Sequence, residues 1–410
     1  MAKKHADNKA DISASPDRGE STGLMEPMMI SERSRHRAAL SDLAVELATT
    51  SAAFRASLPR SIETALATLV RSMNCYYSNL IEGHNTHPID IERALKNDYS
   101  ADPKKRNLQL EAKAHIAVQA WIDSGGIGDR VTKRDGIVEI HRRFCELMPD
   151  DLLWVANPKT KAKIQVLPGQ LRHTDVQVGR LIAVSPGAVP RFLTRFEEAY
   201  SRLGRVDAIL ATAAAHHRLL WIHPFLDGNG RVARLVAHGM FRQSLDSGAL
   251  WSIARGLARN EDKYKQHLAA CDQPRRNALD GRGTLSEEEL VAFTRFVLET
   301  GIDQVKFMRD LVQPDRLKAR LSLWAEEQIR AGILPPKSGL VLDAVLYRGE
   351  LPRSEVPAIL GIGDRQARRV TSKLIDEGVM TSTGPKSPLS LAFPATLASR
   401  WMPGLFPDQP

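Results

Sequence analysis

The sequence predicts a mainly α-helical protein that contains one small β-hairpin and ends in a winged helix. Three observations lead to this fold class. From Ser31 onward, most segments place apolar residues three and four positions apart, which is the spacing of one face of a helix. Residues 161–183 alternate instead between polar and apolar side chains around Pro168-Gly169, a pair that suits the centre of a type II turn. Residues 351–383 show the pattern of a helix, a turn, a second helix and a strand.

The composition is that of a globular protein with room for more than one core. The chain has 410 residues, of which 43% are apolar and 26% are charged, and roughly 150 residues per domain gives two or three domains. It has no run of about 18 apolar residues, the length that spans a membrane, and its polar start lacks a signal peptide's apolar stretch. The three cysteines are too widely spaced for a disulfide framework or a zinc site. We therefore expect a cytoplasmic protein with free thiols and no membrane contact.

Five segments are predicted along the chain. Residues 1–30 carry few large apolar side chains and are expected to form a disordered tail. An N-terminal helical region follows over 31–100, and the helical core, with the hairpin embedded in it, occupies 101–275. Connecting helices are expected over 285–335, and a winged helix-turn-helix over 336–397.

Local signals predict where several helices begin and end. Ser286, with Glu289 three residues later, has the capping-box pattern that starts a helix. Gly378 follows a helical stretch in the position that commonly stops one. Pro224 disfavours helical geometry in the residue before it, so the helix that ends in HRLLWIH should terminate near His223.

The stretch HPFLDGNGRVAR concentrates polar chemistry between two apolar helices. His223 would project from a helix end into a loop, and its ordinary pKa near 6.5 makes the imidazole a usable proton acceptor. Gly228 and Gly230 permit backbone angles that are closed to most residues, and Asn229 tolerates them. Such a turn can aim successive N–H groups into one anion-binding concavity.

The helix that follows this turn predicts a polyphosphate ligand. Its N-terminal end points a positive dipole at the concavity. Arg231 and Arg234 are three residues apart, share a face and can both bind phosphate oxygens. Asp227 is the one acid beside them, and a carboxylate in that place suits Mg²⁺ that bridges phosphates. Each feature alone has a plainer interpretation, as a turn, a helix cap or a solvated face, but their agreement favours phosphate binding.

A metal site built from neighbouring histidines is the alternative for the same region. His216, His217 and His223 could act as ligands, since the first and last are seven residues apart on a helix. No glutamate or cysteine completes a familiar site, and a metal on His223 would remove the base. We interpret His216 and His217 as histidines at the edge of the core.

A second informative stretch lies upstream, from Ser78 to Gly83. The helix that carries it should stop at Gly83. Glu82 would then lie at a helix C-terminus, where the dipole disfavours an anion by about 0.3–1 kcal/mol. Glu82 either points into water or pairs with a cation elsewhere in the fold.

HPFLDGNGRVAR resembles the signature of Fic-domain proteins, a histidine-x-phenylalanine-x-acid-Gly-Asn-Gly-Arg-x-x-Arg pattern with every defining position filled. The resemblance covers about residues 100–275 and leaves the N-terminal tail and the final module outside. It implies a helical Fic core in which residues 164–182 form a flap hairpin that aligns a target protein by strand addition. It also implies transfer of AMP from ATP, with Mg²⁺, to a Tyr, Thr or Ser hydroxyl of that target.

The resemblance also assigns roles to the matching positions. His223 would take the proton from the attacking hydroxyl, and Asp227 would hold Mg²⁺. The Gly228–Gly230 turn would cradle the α- and β-phosphates, while Arg231 and Arg234 would bind the β- and γ-phosphates. Transfer of another phosphate-containing group remains an alternative.

Ser78 to Gly83 is similar to the Ser/Thr-x-x-x-Glu-Gly/Asn motif of the inhibitory helix that some Fic proteins carry N-terminal to the core. The likeness implies that Glu82 pairs with Arg234 in the place of the γ-phosphate, while Ser78 helps to fix the helix. In some relatives the same glutamate activates a water that removes AMP from the target, so de-AMPylation by Glu82 stays open. Self-modification is also expected, at tyrosines near the site in sequence such as Tyr76, Tyr77 and Tyr264.

The C-terminal module supports a rival from another functional class. Arg365, Arg368 and Arg369 lie near the start of its second helix, where a winged helix meets DNA. From residue 339 onward, however, eight Lys/Arg face seven Asp/Glu, so contact with DNA and contact with a protein stay equally open. The rival is a DNA-binding regulator whose Fic fold senses nucleotide. A homodimer is a further possibility that the sequence leaves open.

Overall fold

The computed structural model describes residues 16–156, 161–178 and 181–407. Within them the chain is mainly helical, as predicted, and no helix there is long and apolar enough to cross a membrane. The α-helices are α1 (Arg37–Ala56), α2 (Arg60–Ile81), α3 (Pro88–Leu95), α4 (Pro103–Asp123), α5 (Arg134–Glu146), α6 (Val189–Tyr200), α7 (Arg205–Ile222), α8 (Asn229–Ser244), α9 (Ile253–Arg259), α10 (Glu261–Cys271), α11 (Glu287–Leu311), α12 (Pro314–Arg330), α13 (Ser338–Arg348), α14 (Val356–Leu360), α15 (Asp364–Asp376) and α16 (Ala398–Trp401). The strands are β1 (Trp154–Ala156), β2 (Lys163–Gln165), β3 (Gln177–Val178), β4 (Leu181–Ile182), β5 (Glu350–Leu351), β6 (Met380–Thr381) and β7 (Leu389–Leu391).

Helices α7 and α8 form the centre of the core. Thirteen of the eighteen residues of α7 are buried, and its run of small side chains at 211–215, ATAAA, lets neighbouring helices approach closely. It packs against α8, α6, α1 and α11, while α8 also contacts α2, α4 and α5. Both helices are packed on several sides. The ends of the loop between them, which carries the HPFLDGNG sequence, are therefore held in fixed positions.

The segment before α6 contains two short antiparallel strand pairs, β1 with β2 and β3 with β4. The type II turn is present: the Gln170 N–H donates to the Leu167 carbonyl at 3.1 Å, and Gly169 has a φ of +73°. A small hairpin forms as predicted, but β2 and β3 do not pair across this turn. The Gly169 N–H bonds instead to Nδ1 of His141 at 2.9 Å, and Arg172 is buried, so the turn is anchored to the helices rather than extended as a ladder.

The prediction of a disordered tail is wrong for residues 16–30; residues 1–15 lie outside the described part. Met25, Met28 and Ile30 are buried in the common core. The Leu285 N–H donates to the Glu26 carbonyl at 2.8 Å, and the Tyr200 hydroxyl donates to the Met28 carbonyl at 2.7 Å. Three apolar residues are too few to give a sequence period, yet they suffice to hold an irregular segment against helices that are distant in sequence.

The C-terminal module follows the element order helix α13, strand β5, helices α14 and α15, then strands β6 and β7. The three strands form one antiparallel sheet in the order β5-β7-β6. Its interpretation as a winged helix stays a prediction. Beyond residue 397, where the sequence placed the end of the module, the chain returns to the helical core. Trp401 and Leu405 are buried there, and the Tyr77 hydroxyl donates to the Leu405 carbonyl at 3.0 Å.

Candidate active site

His223 lies at the C-terminal end of α7 in a left-handed conformation, with a φ of +51°. Its Nδ1 lies 3.3 Å from the Leu220 carbonyl, and because a carbonyl only accepts, Nδ1 carries the proton and Nε2 is left as an acceptor. Burial lowers the pKa of His223 from its ordinary value to about 4. The imidazole is therefore neutral at pH 7 and chemically able to take a proton.

The turn after His223 leaves several backbone N–H groups free at the start of α8. Gly228 caps the helix with a φ of +79°. The side chain of Asn229 closes the loop, since its Oδ1 accepts from the Phe225 N–H at 3.0 Å and its Nδ2 donates to the Phe225 carbonyl at 2.8 Å. Over the described residues, the N–H groups of Asn229, Gly230 and Arg231 meet no hydrogen-bond acceptor. Together with the helix dipole, these groups form a concavity suited to an anion.

Arg231 is buried between two acids. It contacts Glu111, a fully buried residue of α4, and its Nη2 lies 3.2 Å from an oxygen of Asp227. Its Nε is buried and has no hydrogen-bond partner among the residues that the structure describes. The second oxygen of Glu111 lies 2.7 Å from Nδ1 of His84, and the pKa of His84 is raised by this contact.

Sequence reasoning missed Glu111. The available signal was an acid within the apolar stretch LQLEAKAHIAVQAW, because a buried glutamate requires a cationic partner. That signal does not name the partner, which is 120 positions away.

Arg234 is enclosed by the upstream motif. Its Nη2 donates to Glu82 Oε1 at 2.5 Å and to the Ser78 carbonyl at 3.0 Å, while its Nε donates to Ser78 Oγ at 2.8 Å. Burial acts to raise the pKa of Glu82, but the charges of Arg234, Arg231 and His84 outweigh it and hold that pKa below its usual range. Glu82 is therefore an anion paired with a buried cation.

The Glu82 carboxylate also lies against the first turn of α8. A Cβ placed on Gly230 would be only 2.2 Å from Glu82 Oε1, so no larger residue fits at position 230 while Glu82 keeps this place. Gly83 ends α2 with a φ of +84°, where the sequence placed the helix stop. The carboxylate thus occupies space beside the free N–H groups and Arg234, where a phosphate could otherwise lie.

Asp227 is the candidate magnesium ligand. Its side chain is 44% exposed, and one of its oxygens contacts Arg231. Within residues 16–156, 161–178 and 181–407, no group of three or more His, Cys, Asp or Glu side chains could hold a metal by itself. A single carboxylate beside an anion site fits Mg²⁺, which usually takes one or two carboxylates and completes its shell with water and substrate phosphates.

Arg172 connects the flap segment to the base, and sequence reasoning missed it. The side chain is 2% exposed and donates to the carbonyls of His223 at 2.7 Å, Thr174 at 3.1 Å and Ile222 at 3.4 Å, and it also contacts the carbonyl of Val184. Burial lowers the pKa of Arg172 to about 10, so it stays charged at pH 7. The cation lies at the negative end of the α7 dipole and holds the backbone of His223 in place.

His216 and His217 are buried and bonded to protein groups rather than grouped with His223. Nε2 of His216 lies 2.7 Å from the Tyr264 hydroxyl, and Nε2 of His217 lies 2.9 Å from Asp272. Burial lowers the pKa of His216 to about 3. Both side chains stabilise the interior and belong to the core, as the sequence indicated.

The tyrosines expected to accept a self-modification are in the wrong place. Tyr76, Tyr77 and Tyr264 are at most 5% exposed. The hydroxyl of Tyr77 is bonded to the Leu405 carbonyl, that of Tyr264 to His216. These residues are near the candidate site in sequence, but they lie in the core around it, where no second molecule can reach them.

Comparison with known proteins bears on this geometry. Residues 131–240 match the sequence model of the Fic/DOC family, within the core predicted for 101–275. The chain contains a Fic domain. It is 28% identical over 173 residues to "Protein adenylyltransferase Fic" of Culex quinquefasciatus and 36% identical over 112 residues to "Protein adenylyltransferase fic-1" of Caenorhabditis elegans. These matches cover 41% and 27% of this chain, and only 31% and 19% of the relatives.

The fold is also similar to that of a solved structure. The crystal structure of a Fic family protein from Desulfovibrio desulfuricans G20 superimposes with a TM-score of 0.51 at 14% identity, covering 89% of this chain and 98% of that one. At this identity the likeness concerns the fold alone. It extends well beyond the Fic domain, over most of the helices described above.

Proposed function

We propose that this chain is a self-inhibited protein adenylyltransferase, which uses ATP and Mg²⁺ to place AMP on a hydroxyl side chain of a target protein. One observation carries the proposal: a neutral histidine, three free backbone N–H groups and two buried arginines converge on one loop of a Fic domain. The printed names of the relatives point to the same reaction, although this chain spans a third or less of their length.

The role proposed for His223 is that of general base. Nε2 would accept the proton of the target hydroxyl as its oxygen forms a bond to the α-phosphorus, and the bond from that phosphorus to the bridging oxygen of pyrophosphate would break. A positioned base contributes roughly 10²–10⁴-fold to such a reaction. The contact of Arg172 with the His223 carbonyl supports this role, because it holds the base at a fixed place.

The first turn of α8 would hold the phosphates. The N–H groups of Asn229 and Gly230 would face the α- and β-phosphates, with Arg231 on the β-phosphate and Arg234 on the γ-phosphate. Fixed cations and dipoles of this kind stabilise the charge that develops during transfer. Asp227 would hold Mg²⁺, which neutralises phosphate charge when bound.

The flap segment would receive the target. In the described part of the chain, no third strand joins β1–β2 or β3–β4. Trp154 is 45% exposed and Ile182 is 68% exposed. A two-stranded pair without a further strand neighbour, next to exposed apolar side chains, suits strand addition by an extended target segment.

The proposed brake is the pair of Glu82 and Arg234. Glu82 already pairs with Arg234, the cation assigned to the γ-phosphate, and its carboxylate lies against Gly230. ATP would then bind with its phosphates displaced from the alignment that transfer requires. The two hydrogen bonds from Arg234 to Ser78 hold α2 and α8 together and keep Glu82 in this place.

The test is incorporation of label from ATP labelled on the α-phosphate, in the presence of Mg²⁺ and a cell lysate. We would compare the wild type, Glu82→Gly, and Glu82→Gly combined with His223→Ala. Glu46→Gly is the matched control, because Glu46 is an exposed helical glutamate whose ion partner, Lys306, lies on the surface. We expect strong labelling only in Glu82→Gly, and background labelling in the double variant and the control. No labelling by any variant would refute the transferase.

Removal of AMP by Glu82 is the second candidate. The observation that favours it is an ionised carboxylate, 32% exposed, beside the proposed phosphate site. Such a group could take the proton of a water whose oxygen forms a bond to the phosphorus of a target's AMP ester. The bond from that phosphorus to the target's oxygen would break, and the oxygen would leave as a protonated hydroxyl. Release of free AMP from an AMPylated target by the wild type, lost in Glu82→Gln, would support this activity. Equal release by both would exclude that role for Glu82.

A further inference from the structure

Helix α15 presents a cationic face that has no partner within the described chain. Its inward side packs into the C-terminal module; the buried residues are Ala367, Val370, Thr371 and Leu374. Arg365 lies one turn before the adjacent Arg368 and Arg369 on the opposite side, and all three are exposed. None forms an ion pair or a side-chain hydrogen bond with any residue that the structure describes. Three unpaired arginines within two turns form a concentrated positive field.

The count of charges in the module does not show how those charges are arranged on its surface. Three acids of the module are paired: Glu355 with Arg348, Glu377 with Lys373, and Asp343 with Lys318 of α12. Arg400 is likewise paired with Glu327 of α12. The count of eight bases and seven acids therefore does not describe one face of α15, where Arg365, Arg368 and Arg369 have no acidic partner in the described chain. Asp364 and Asp376, at the two ends of the same helix, form no ion pair there either.

The β6–β7 loop, residues 382–388, carries a fourth cation of the module. The loop is held by Ser382, whose hydroxyl donates to the Gly384 carbonyl at 2.9 Å, and by Arg353, whose Nε donates to the Ser387 carbonyl at 3.2 Å. Lys386, near its tip, is exposed and makes no ion pair in the described chain. Strand β6, which leads into this loop, contacts α15.

Helices α14 and α15 are joined by a short turn, which is the element order that the sequence predicts for a helix-turn-helix. Helix α14 ends at Gly361, which has a φ of +63°, and the Lys337 ammonium donates to the Leu360 carbonyl at 2.7 Å. Two short helices are thus joined by a fixed turn, and the second presents its charged side outward. A helix about 10–12 Å across fits the major groove of B-DNA, which is about 12 Å wide.

We propose that α15 and the β6–β7 loop bind duplex DNA, with α15 in the major groove and Lys386 on the backbone. Arginine binds phosphate oxygens and the guanine edge bidentately, which suits a row of three on one face. Duplex RNA fits less well, because its deep major groove does not admit side chains. Asp364, exposed at the start of α15, faces the same ligand and would weaken its binding. This inference does not depend on the proposed adenylyl transfer.

The test measures binding of the full chain to a fluorescein-labelled 30-base-pair duplex, and to duplexes enriched from a random-sequence library, by fluorescence anisotropy. The variant replaces Arg365, Arg368 and Arg369 by alanine. The matched control replaces Arg134, Arg282 and Arg316 by alanine, so that both proteins lose three positive charges. These three side chains are also exposed and form no ion pair within the described chain. We expect about tenfold weaker binding per α15 arginine, a change of less than threefold in the control, and tighter binding by Asp364→Asn.

Two further measurements complete the test: the dependence of the DNA affinity on salt, and competition by other polyanions. Replacing Lys386 by alanine should reduce the slope of log affinity against log salt by about one, as expected for one phosphate contact. Equal weakening by both triple variants would mean that the overall charge of +9 binds DNA, and would overturn the proposal. Absence of binding at low salt would also overturn it. So would stronger competition from duplex RNA or polyglutamate than from duplex DNA.

Discussion

Replacing Glu82 by glutamine tests the brake without removing the side chain. Glutamine keeps the size of glutamate and one oxygen that can accept from Arg234, but it removes the negative charge. In the structure, Glu82 is the carboxylate that neutralises Arg234, a guanidinium only 2% exposed. If the carboxylate occupies the place of a phosphate, its charge competes with ATP, and its removal should tighten ATP binding.

The magnitude follows from the contact distance and the exposure. Two unit charges about 4 Å apart interact by about 4 kcal/mol at an effective dielectric constant of 20. Since 32% of the Glu82 side chain is exposed, solvent screening reduces this to roughly 2 kcal/mol. At about 1.4 kcal/mol per tenfold change, Glu82→Gln should bind ATP about 30-fold more tightly than the wild type.

Isothermal titration calorimetry with ATP and with ADP provides the measurement. ADP lacks the phosphate whose place Glu82 is proposed to take, so its affinity should change by only a few-fold. Glu46→Gln serves as the control, because it removes one surface charge and should leave both affinities unchanged. An ATP affinity within twofold of the wild type, or equal gains for ATP and ADP, would refute the reasoning.

Three further predictions concern the residues that position the site. Arg172→Met should lower the unfolding temperature and abolish labelling by the Glu82→Gly protein. The substitution leaves several buried carbonyls without a hydrogen-bond donor, at a cost of about 1–3 kcal/mol each. An unchanged melting curve would contradict this prediction. Because burial lowers the pKa of His223 to about 4, the labelling rate should fall only as the pH drops towards 4; a midpoint near 6.5 would show an unperturbed imidazole. Glu111→Gln should weaken ATP binding, measured by calorimetry, and lower the free energy of unfolding by about 3–5 kcal/mol, because Arg231 loses its buried anionic partner. A loss of less than about 0.5 kcal/mol, as is usual for a surface substitution, would be inconsistent with this prediction.

Features set by a few neighbouring residues were predicted well. The Ser286 hydroxyl accepts from the Glu289 N–H at 3.1 Å, as the capping pattern indicated. Gly378 has a φ of +72° after α15, and α7 ends next to His223. The type II turn at Pro168 is also present. In each case the restriction acts within four residues, through allowed backbone angles and local hydrogen bonds, so the sequence contains the necessary information.

Sequence patterns alone did not determine the pairings between distant segments. Glu82 and Arg234 are 152 positions apart, and the residues themselves left open whether Glu82 faced water; the family likeness implied the pair, and the packing of α2 against α8 brings the two together. Arg172 had no local signal at all, because its acceptors are backbone carbonyls, which every residue carries.

The sequence by itself therefore determined the helical class of the protein, the ends of its helices and the loop that carries the candidate chemistry. The tertiary structure alone decided that residues 16–30 are ordered, that β2 pairs with β1 rather than β3, and that Glu111 neutralises Arg231. The physical reason is common to all three. Burial and charge pairing depend on which surfaces meet in space. The local backbone preferences of a segment do not specify which distant segments will pack against it.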